Sequence, residues 1–185
     1  GGRSRPLWSV LGCLLIAASL GGCARFISAS KNAEGVRLLQ QDKYQQALAE
    51  FQQAARIDPQ NPDAFYNLAA TYHRVGRLEN RPGYLEQAEL LYQQCLDRDP
   101  NHVDCHRGLA VLLCEQGRQQ EAIRLLQGWV DRQPRLPEAR IELARLYDEL
   151  GNKQAGAEEL LASLAIVAHN TWALMALGKL REEAG

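Results

Sequence analysis

The sequence predicts an all-α fold, a solenoid of about four helix pairs closed by one further helix. Three observations predict it. Similar segments recur at a constant interval, apolar residues inside them recur at three and four residues, and prolines separate most of the segments. Helix pairs that repeat in sequence bury their apolar faces against their neighbours, so such a chain folds as a continuous stack.

The interval is set by several series of marker residues. Pro59 to Pro100 is 41 residues, and Pro100 to Pro134 is 34. Three other series of residues recur at the same intervals: Gly35, Ala69, Ala110, Ala144 and Gly178; Ala47, Ala88, Ala122 and Gly156; Asp42, Gly76, Gly117 and Gly151. The unit is therefore 34 residues, and the longer interval contains a seven-residue insertion. Comparison of the series places it between Gly76 and Ala88, in the turn inside the second repeat, where a longer loop costs little.

Each unit is predicted to be two helices. In the second repeat Phe65, Leu68 and Tyr72 recur at helical spacing, with a short turn expected at Gly76. The prolines explain the other boundary. Proline lacks an amide donor and disfavours helix in the residue before it, so Asp58 and its equivalents Asp99 and Gln133 are expected outside the preceding helix.

These markers resemble the tetratricopeptide repeat, whose pattern is a large aromatic residue, Leu and a small residue, then Tyr, Ala, an aromatic and Pro. The second repeat carries most of them: Phe65, Leu68, Ala69, Tyr72, Gly76, Ala88, Tyr92 and Pro100. The resemblance covers residues 28–168 and implies a right-handed α-α superhelix. It divides the chain into repeats at 30–61, 62–102, 103–136 and 137–170, followed by a capping helix at 171–185. The fourth repeat is degenerate, with Gly156 for the packing alanine and Ala168 for proline.

The first 22 residues predict an export signal. Arg3 and Arg5 precede an apolar run from Leu7 to Leu20 that is short for a membrane span. The following Leu20-Gly21-Gly22-Cys23 resembles the lipobox of bacterial lipoproteins. The resemblance implies cleavage before Cys23, a lipid on its sulfur, an exported and membrane-anchored protein, and a linker at 23–29; in a Gram-negative bacterium it would be at the outer membrane or on the periplasmic side. An uncleaved anchor and a plain signal peptide are the alternatives.

Charge and cysteines limit the partners and the crosslinks. The formal net charge is -1, and -3 without the two arginines of residues 1–22, so no basic surface for nucleic acid is expected and protein or peptide partners are favoured. Cys105 and Cys114 are nine residues apart on one predicted helix, about 13 Å and beyond disulfide reach. Cys95 and Cys105 flank a helix turn, so either they form a disulfide or both remain small buried thiols.

Residues for catalysis or metal binding do not form a known pattern. The four histidines fall at different phases, and His102, Cys105, His106 and Cys114 lack a zinc spacing. There is no glycine-rich phosphate loop and no nucleophile motif. The sequence therefore predicts no enzyme, cofactor or metal site, and His106 is expected to fill the aromatic position of the third repeat.

The family resemblance implies a concave groove lined by the first helix of each repeat, where a partner binds. Its expected residues are Tyr66, Asn67, Ala70, His73, Arg74, Arg107, Val111, Glu115, Ile141, Glu142 and Arg145, flanked by Asp63, Asp104, Gly108, Glu138 and Glu149. We expect Asn67 to bond a peptide backbone, and Arg74 or Arg107 to pair with its acidic groups. The functional hypothesis is a lipid-anchored scaffold of a cell-envelope assembly. The alternative is a structural module that self-associates through its last repeat and cap, using apolar residues such as Trp172 and Met175.

Overall fold

The computed structural model describes residues 8–184, without the side chains of residues 8–21 and of Trp172, Leu180, Arg181, Glu183 and Ala184. The described part therefore excludes most of the predicted export signal, namely residues 1–7 and the side chains of residues 8–21. It also excludes the Trp172 side chain. All regular structure in residues 8–184 is α-helical. The helices are α1 Trp8–Leu39, α2 Tyr44–Ile57, α3 Pro62–Leu78, α4 Pro82–Arg98, α5 Val103–Glu115, α6 Gln119–Arg132, α7 Pro137–Glu149, α8 Lys153–Ile166 and α9 Thr171–Ala184.

The helices stack in chain order, which confirms the predicted solenoid. Each odd-numbered helix packs against the even-numbered helix that follows it, and each even-numbered helix packs against the next odd-numbered one. One apolar core runs through α1 to α7, and a smaller one joins α7, α8 and α9. The prediction of a second helix in the degenerate fourth repeat is correct, because α8 occupies that position.

Small residues permit this close stacking. Ala69, Ala110 and Ala144 are all buried. A Cβ atom added to Gly108 would lie 2.6 Å from the ring of Tyr92, and one added to Gly35 would lie 2.5 Å from the ring of Phe51. A larger side chain at these positions would push neighbouring helices apart.

The seven extra residues of the second repeat lengthen its helices and leave its turn unchanged. Helix α3 has 17 residues against 13 in α5 and α7, and α4 has 17 against 14 in α6 and α8. The connections at 79–81, 116–118 and 150–152 are equally short. The insertion therefore adds about one turn to each helix, whereas the sequence placed it in a longer loop.

The turn inside each pair requires a left-handed residue. Asp42, Asn80, Gly117 and Gly151 occupy this position, with φ of 56°, 50°, 76° and 78°. The residue after each donates its amide back across the helix end, as from Arg81 to Gly76 O at 2.8 Å. Gly76, the expected turn residue, is instead buried inside α3, and Asn80 takes the left-handed position because its side chain tolerates that conformation.

Proline-marked boundaries are where the sequence placed them. Asp58, Asp99 and Gln133 are the C-terminal caps of α2, α4 and α6. Val167 caps α8 in the extended conformation that Asp99 has at the end of α4, without a following proline. The start of α3 is fixed by Asn61, whose Oδ1 accepts the Asp63 amide at 3.0 Å.

Residues 23–29 are helical, whereas the sequence suggested a linker. They belong to α1, which contains neither glycine nor proline from Cys23 to Glu34. Ser28 is fully buried, and its Oγ donates to the carbonyl of Ala54 at 3.0 Å, so this part of α1 is attached to the first repeat. Among the described residues, none of the helices combines the length and the apolar character needed to span a membrane.

The structure decides between the two alternatives for the cysteines. Cys95 in α4 and Cys105 in α5 form a disulfide, and both are fully buried. The bond joins the second repeat to the third. Cys114 is a free, half-buried thiol whose pKa is raised by burial.

Candidate partner-binding groove

The odd-numbered helices line the inner side of the stack. Helices α1, α3, α5 and α7 contact one another in succession, in addition to the helices that follow them in the chain. Within the described residues, the even-numbered helices have no such extended contact with each other. Stacked pairs that are close on one side and spread on the other form a curved solenoid, and the helices that carry the predicted groove residues lie on its inner side.

The groove residues of the second repeat are connected to the repeats on either side. The Asn67 side chain donates to Asn32 Oδ1 in α1 at 3.0 Å. His73 Nε2 lies 2.9 Å from Glu115 Oε2 in α5, and Arg77 Nη1 lies 3.0 Å from the other oxygen of that carboxylate. One N–H of the Asn67 amide, which was expected to bond a peptide, is thus used in a bond between helices.

Arg74 points toward the turn of the first repeat. Its guanidinium is 3.4 Å from Asp42 Oδ1 and 5.2 Å from the centre of the Tyr44 ring. The Arg74 and Asp42 side chains are 56% and 70% exposed, so water screens this pair and it contributes little to stability. The Arg74 side chain therefore remains accessible to solvent.

Arg107 is used inside the protein. Its Nε and Nη2 donate to the two oxygens of Glu142 in α7 at 2.9 and 2.5 Å, and Nη1 donates to Asp104 at 2.9 Å. The Glu142 side chain is only 3% exposed, and Arg145 Nε lies 3.6 Å from it. The hydrogen bonds with Glu142 raise the pKa of Arg107, so its guanidinium stays charged, and the pair links the third repeat to the fourth.

A less polar strip stays open between these pairs. It consists of Tyr66 and Ala70 on α3 and Val111 on α5, all partly exposed. The Tyr66 ring lies 5.4 Å from the ring of His102, and burial raises the pKa of its hydroxyl, which therefore remains a hydrogen-bond donor at neutral pH. Ile141, also expected in the groove, is buried and belongs to the core of the fourth repeat.

Two cavities border odd-numbered helices. One of about 480 Å³ is lined by Ala70, His73, Arg74, Arg77 and Leu78, and Leu78 is 65% exposed. The other, of about 450 Å³, lies between α7, α8 and α9. Its lining is Ala144, Leu160, Met175 and Ala176, with Arg145, Asp148, Glu149 and Lys179. Both are open hollows of a size that holds one or two side chains of a partner.

Arg77 and Leu78 are groove residues that the sequence analysis missed. They belong to the extra turn of α3, beyond Gly76, which was taken as the end of the helix. A signal for them exists: the spacing of four residues from His73 to Arg77 continues the helical pattern, and Pro82 marks the start of the next helix.

The histidines and cysteines beside the groove are used structurally. Donor atoms of Cys95, His102 and Cys105 lie within 4.8 Å of one another, a spacing that suits a metal ion. The two sulfurs are bonded to each other, however, and His102 Nδ1 accepts the Cys105 amide at 3.2 Å. His106 fills its expected core position, with its ring 3.9 Å from that of Trp129, and burial lowers its pKa to about 4.

Family models match the chain over two segments. A model described as TPR repeat matches residues 35–76, and one described as tetratricopeptide repeat matches residues 83–136. The chain belongs to the tetratricopeptide repeat family. The matched segments cover the predicted groove residues of α3 and α5, whereas Arg77, Leu78, the fourth pair and α9 lie outside them.

Solved tetratricopeptide repeat structures share this fold. PilF of Pseudomonas aeruginosa superposes with a TM-score of 0.61 at 20% identity, covering 87% of this chain and 70% of PilF. MamA superposes with a TM-score of 0.53 at 17% identity, covering 84% of this chain and 81% of MamA. YrrB, described as having an unusual peptide-binding site, superposes with a TM-score of 0.50 at 17% identity, covering 83% of this chain and 76% of YrrB. A comparison with curated protein sequences finds no significant match. At these identities the likeness is one of fold.

Proposed function

We propose that this protein is a membrane-anchored scaffold of the bacterial cell envelope that binds a segment of a partner protein in its concave groove. The single observation that carries the proposal is the open strip of Tyr66, Ala70 and Val111, which lies between side-chain pairs that already connect neighbouring repeats. Because these pairs fix the groove before binding, a partner loses less free energy to ordering the surface.

The strip suits an extended or helical peptide with apolar side chains. Ala70 and Val111 occupy equivalent positions in successive repeats and offer apolar contact, while the Tyr66 hydroxyl and Arg74 provide polar contact at the edge. Arg107 is excluded from the proposed contact residues because its guanidinium is bound to Glu142 and Asp104. The groove acts by recognition, and we propose no catalytic role for it.

The anchor is proposed from the lipobox-like sequence that ends at Cys23, which is exposed on α1. Each buried acyl carbon contributes about 0.8 kcal/mol, so a triacylated cysteine would retain the protein at a membrane. Mass spectrometry of the mature N-terminus tests this directly. An acylated Cys23 without residues 1–22 supports the anchor, and a mature protein with an unmodified Cys23 refutes it.

Affinity capture from detergent-solubilised membranes tests the groove. The baits are the parent protein, Val111→Glu in the strip, and Leu90→Glu on α4 as the matched control. Leu90 is an apolar residue, 48% exposed, on a helix that does not line the groove. We expect the parent and Leu90→Glu to retrieve the same partner and Val111→Glu to lose it. Equal retrieval by all three baits would show that the groove is not the binding surface.

Self-association is the second candidate, favoured by the exposed apolar side chains of α9. Met175 is 71% exposed and lines the cavity between α7, α8 and α9, and Leu174 is 49% exposed. Sedimentation over a range of concentrations tests it with Met175→Glu. A dimer that this substitution dissociates supports self-association, and a monomer at every concentration refutes it.

A further inference from the structure

Helix α1 carries exposed apolar side chains just after Cys23. Phe26 is 77% exposed and Ile27 is 47% exposed, although the other two phenylalanines of the chain, Phe51 and Phe65, are buried in the core. Two large apolar side chains next to each other in water are unfavourable unless another surface covers them.

These side chains share one face of α1 with Cys23. The spacing from Cys23 is three residues to Phe26, four to Ile27 and seven to Ser30, so these residues lie on one side of the helix. The buried residues Ser28 and Gly35 lie on a different side of the helix, against the first repeat. The repeats of the same chain therefore cannot cover the face formed by Cys23, Phe26 and Ile27.

The charges around this face are compatible with a lipid surface. Arg25 is exposed, and the segment from Cys23 to Lys31 contains no acidic residue. The next acid, Glu34, is paired with Arg37. Negatively charged lipid headgroups would thus meet no carboxylate on this part of the helix, and Arg25, on another side of α1, adds a positive charge close to them.

We propose that the face formed by Cys23, Phe26 and Ile27 contacts the lipid bilayer and orients the solenoid on it; this rests on the proposed lipid attachment at Cys23. The two side chains enter the interface beside the acyl chains, where aromatic and aliphatic residues are stable. The first fixed contact with the repeats, from Ser28 to Ala54, is five residues from Cys23, about 7.5 Å along the helix. With no flexible linker between them, the lipid and the groove are held in a fixed relation.

The test uses the chain from Cys23 to Gly185 with Cys114→Ser, which leaves Cys23 as its one free thiol. The described core contacts all lie beyond Cys23, so this chain retains the solenoid, which circular dichroism verifies for each variant. A single myristoyl chain is attached chemically to Cys23. One such chain binds membranes only marginally and reversibly, with a constant of about 10⁴ M⁻¹, so an additional contact is measurable.

Binding is measured by sedimentation with vesicles of phosphatidylethanolamine and phosphatidylglycerol. The test variant is the double substitution Phe26→Glu and Ile27→Glu. The control is Val36→Glu, because Val36 is an exposed apolar residue on a different side of α1. We expect the double variant to lower the binding constant by at least about tenfold, and Val36→Glu to change it by less than about twofold.

Two results would overturn the proposal. One is equal vesicle binding by the double variant and the parent. The other is a dimer, measured without vesicles, that the double variant dissociates, because the face would then bind a second copy of the chain. Chemical acylation makes the test independent of processing in the cell. An unmodified Cys23 in the mature protein would therefore refute the anchor, and equal vesicle binding would refute the contact face alone.

Discussion

The start of α5 and the end of α3 differ in how they are held. Three consecutive residues of α5 each bind a different helix: Cys105 is bonded to α4, His106 stacks on Trp129 of α6, and Arg107 pairs with Glu142 of α7. At the end of α3, Arg74 and Arg77 form exposed ion pairs, and Leu78 extends into water. The start of α5 is thus held by buried contacts, whereas the end of α3 is held by exposed ones.

The largest effect on stability is expected from the buried contacts at the start of α5. Arg107→Ala leaves the Glu142 carboxylate buried without its main partner, so we expect a loss of about 3 kcal/mol in the free energy of unfolding. Arg74→Ala breaks an exposed pair and should cost less than about 0.5 kcal/mol. Urea denaturation of both variants measures the difference. Similar losses of unfolding free energy in the two variants would show that the pairs of Arg107 and Arg74 stabilise the protein equally.

The disulfide should contribute slightly less to the free energy of unfolding than the Arg107–Glu142 pair does. It closes a loop across a sequence separation of 10 residues, for which chain entropy predicts a stabilisation of about 2 to 3 kcal/mol. We expect the double substitution Cys95→Ala and Cys105→Ala to lower stability by this amount while the protein remains helical. The free energy of unfolding, compared with and without a reductant in the parent, checks it. A reductant that leaves the parent's stability unchanged would contradict the crosslink.

Acid should weaken the third repeat through His106. Burial lowers the pKa of His106 to about 4 from its usual value of about 6.5, so the folded protein keeps this ring neutral while the unfolded chain binds a proton. The stabilisation is complete above about pH 6.5 and is lost as the pH falls toward 4, by about 2 kcal/mol at pH 5.

His106→Phe removes this titration and can retain the stacking on Trp129. We expect its stability to fall less than that of the parent between pH 6.5 and 5, measured by denaturation at each pH. Parallel pH dependence in the two proteins would mean that His106 is not protonated on unfolding in this range.

A smaller effect than that of His106 is expected at the turn of the second repeat. Asn80 has a positive φ, so Asn80→Ala should cost about 1 kcal/mol, and Asn80→Gly should leave the stability nearly unchanged. Thermal unfolding of the two variants measures this. Equal stability of the alanine and glycine variants would argue against the left-handed turn, and with it against the one-turn extension of α3.

The sequence was sufficient for the helix pairs because their signals are local. Prolines fix the ends of α2, α4 and α6, and the 34-residue interval fixes the stacking order. The extension of α3 and α4 was not predicted, since an asparagine replaces the glycine expected at that turn. The pairing of Arg107 with Glu142 was also missed. It depends on which side chains of neighbouring repeats meet, and the spacing along one helix does not report this.

Photocrosslinking in living cells tests the central claim most directly, because it reports which surface a partner touches. A photoreactive amino acid is placed at Val111 in the groove and, in a separate strain, at Leu90 on α4. We predict a crosslinked adduct with one partner protein from position 111 and none from position 90. An adduct from position 90 with none from position 111 would contradict the assignment of the groove as the binding surface.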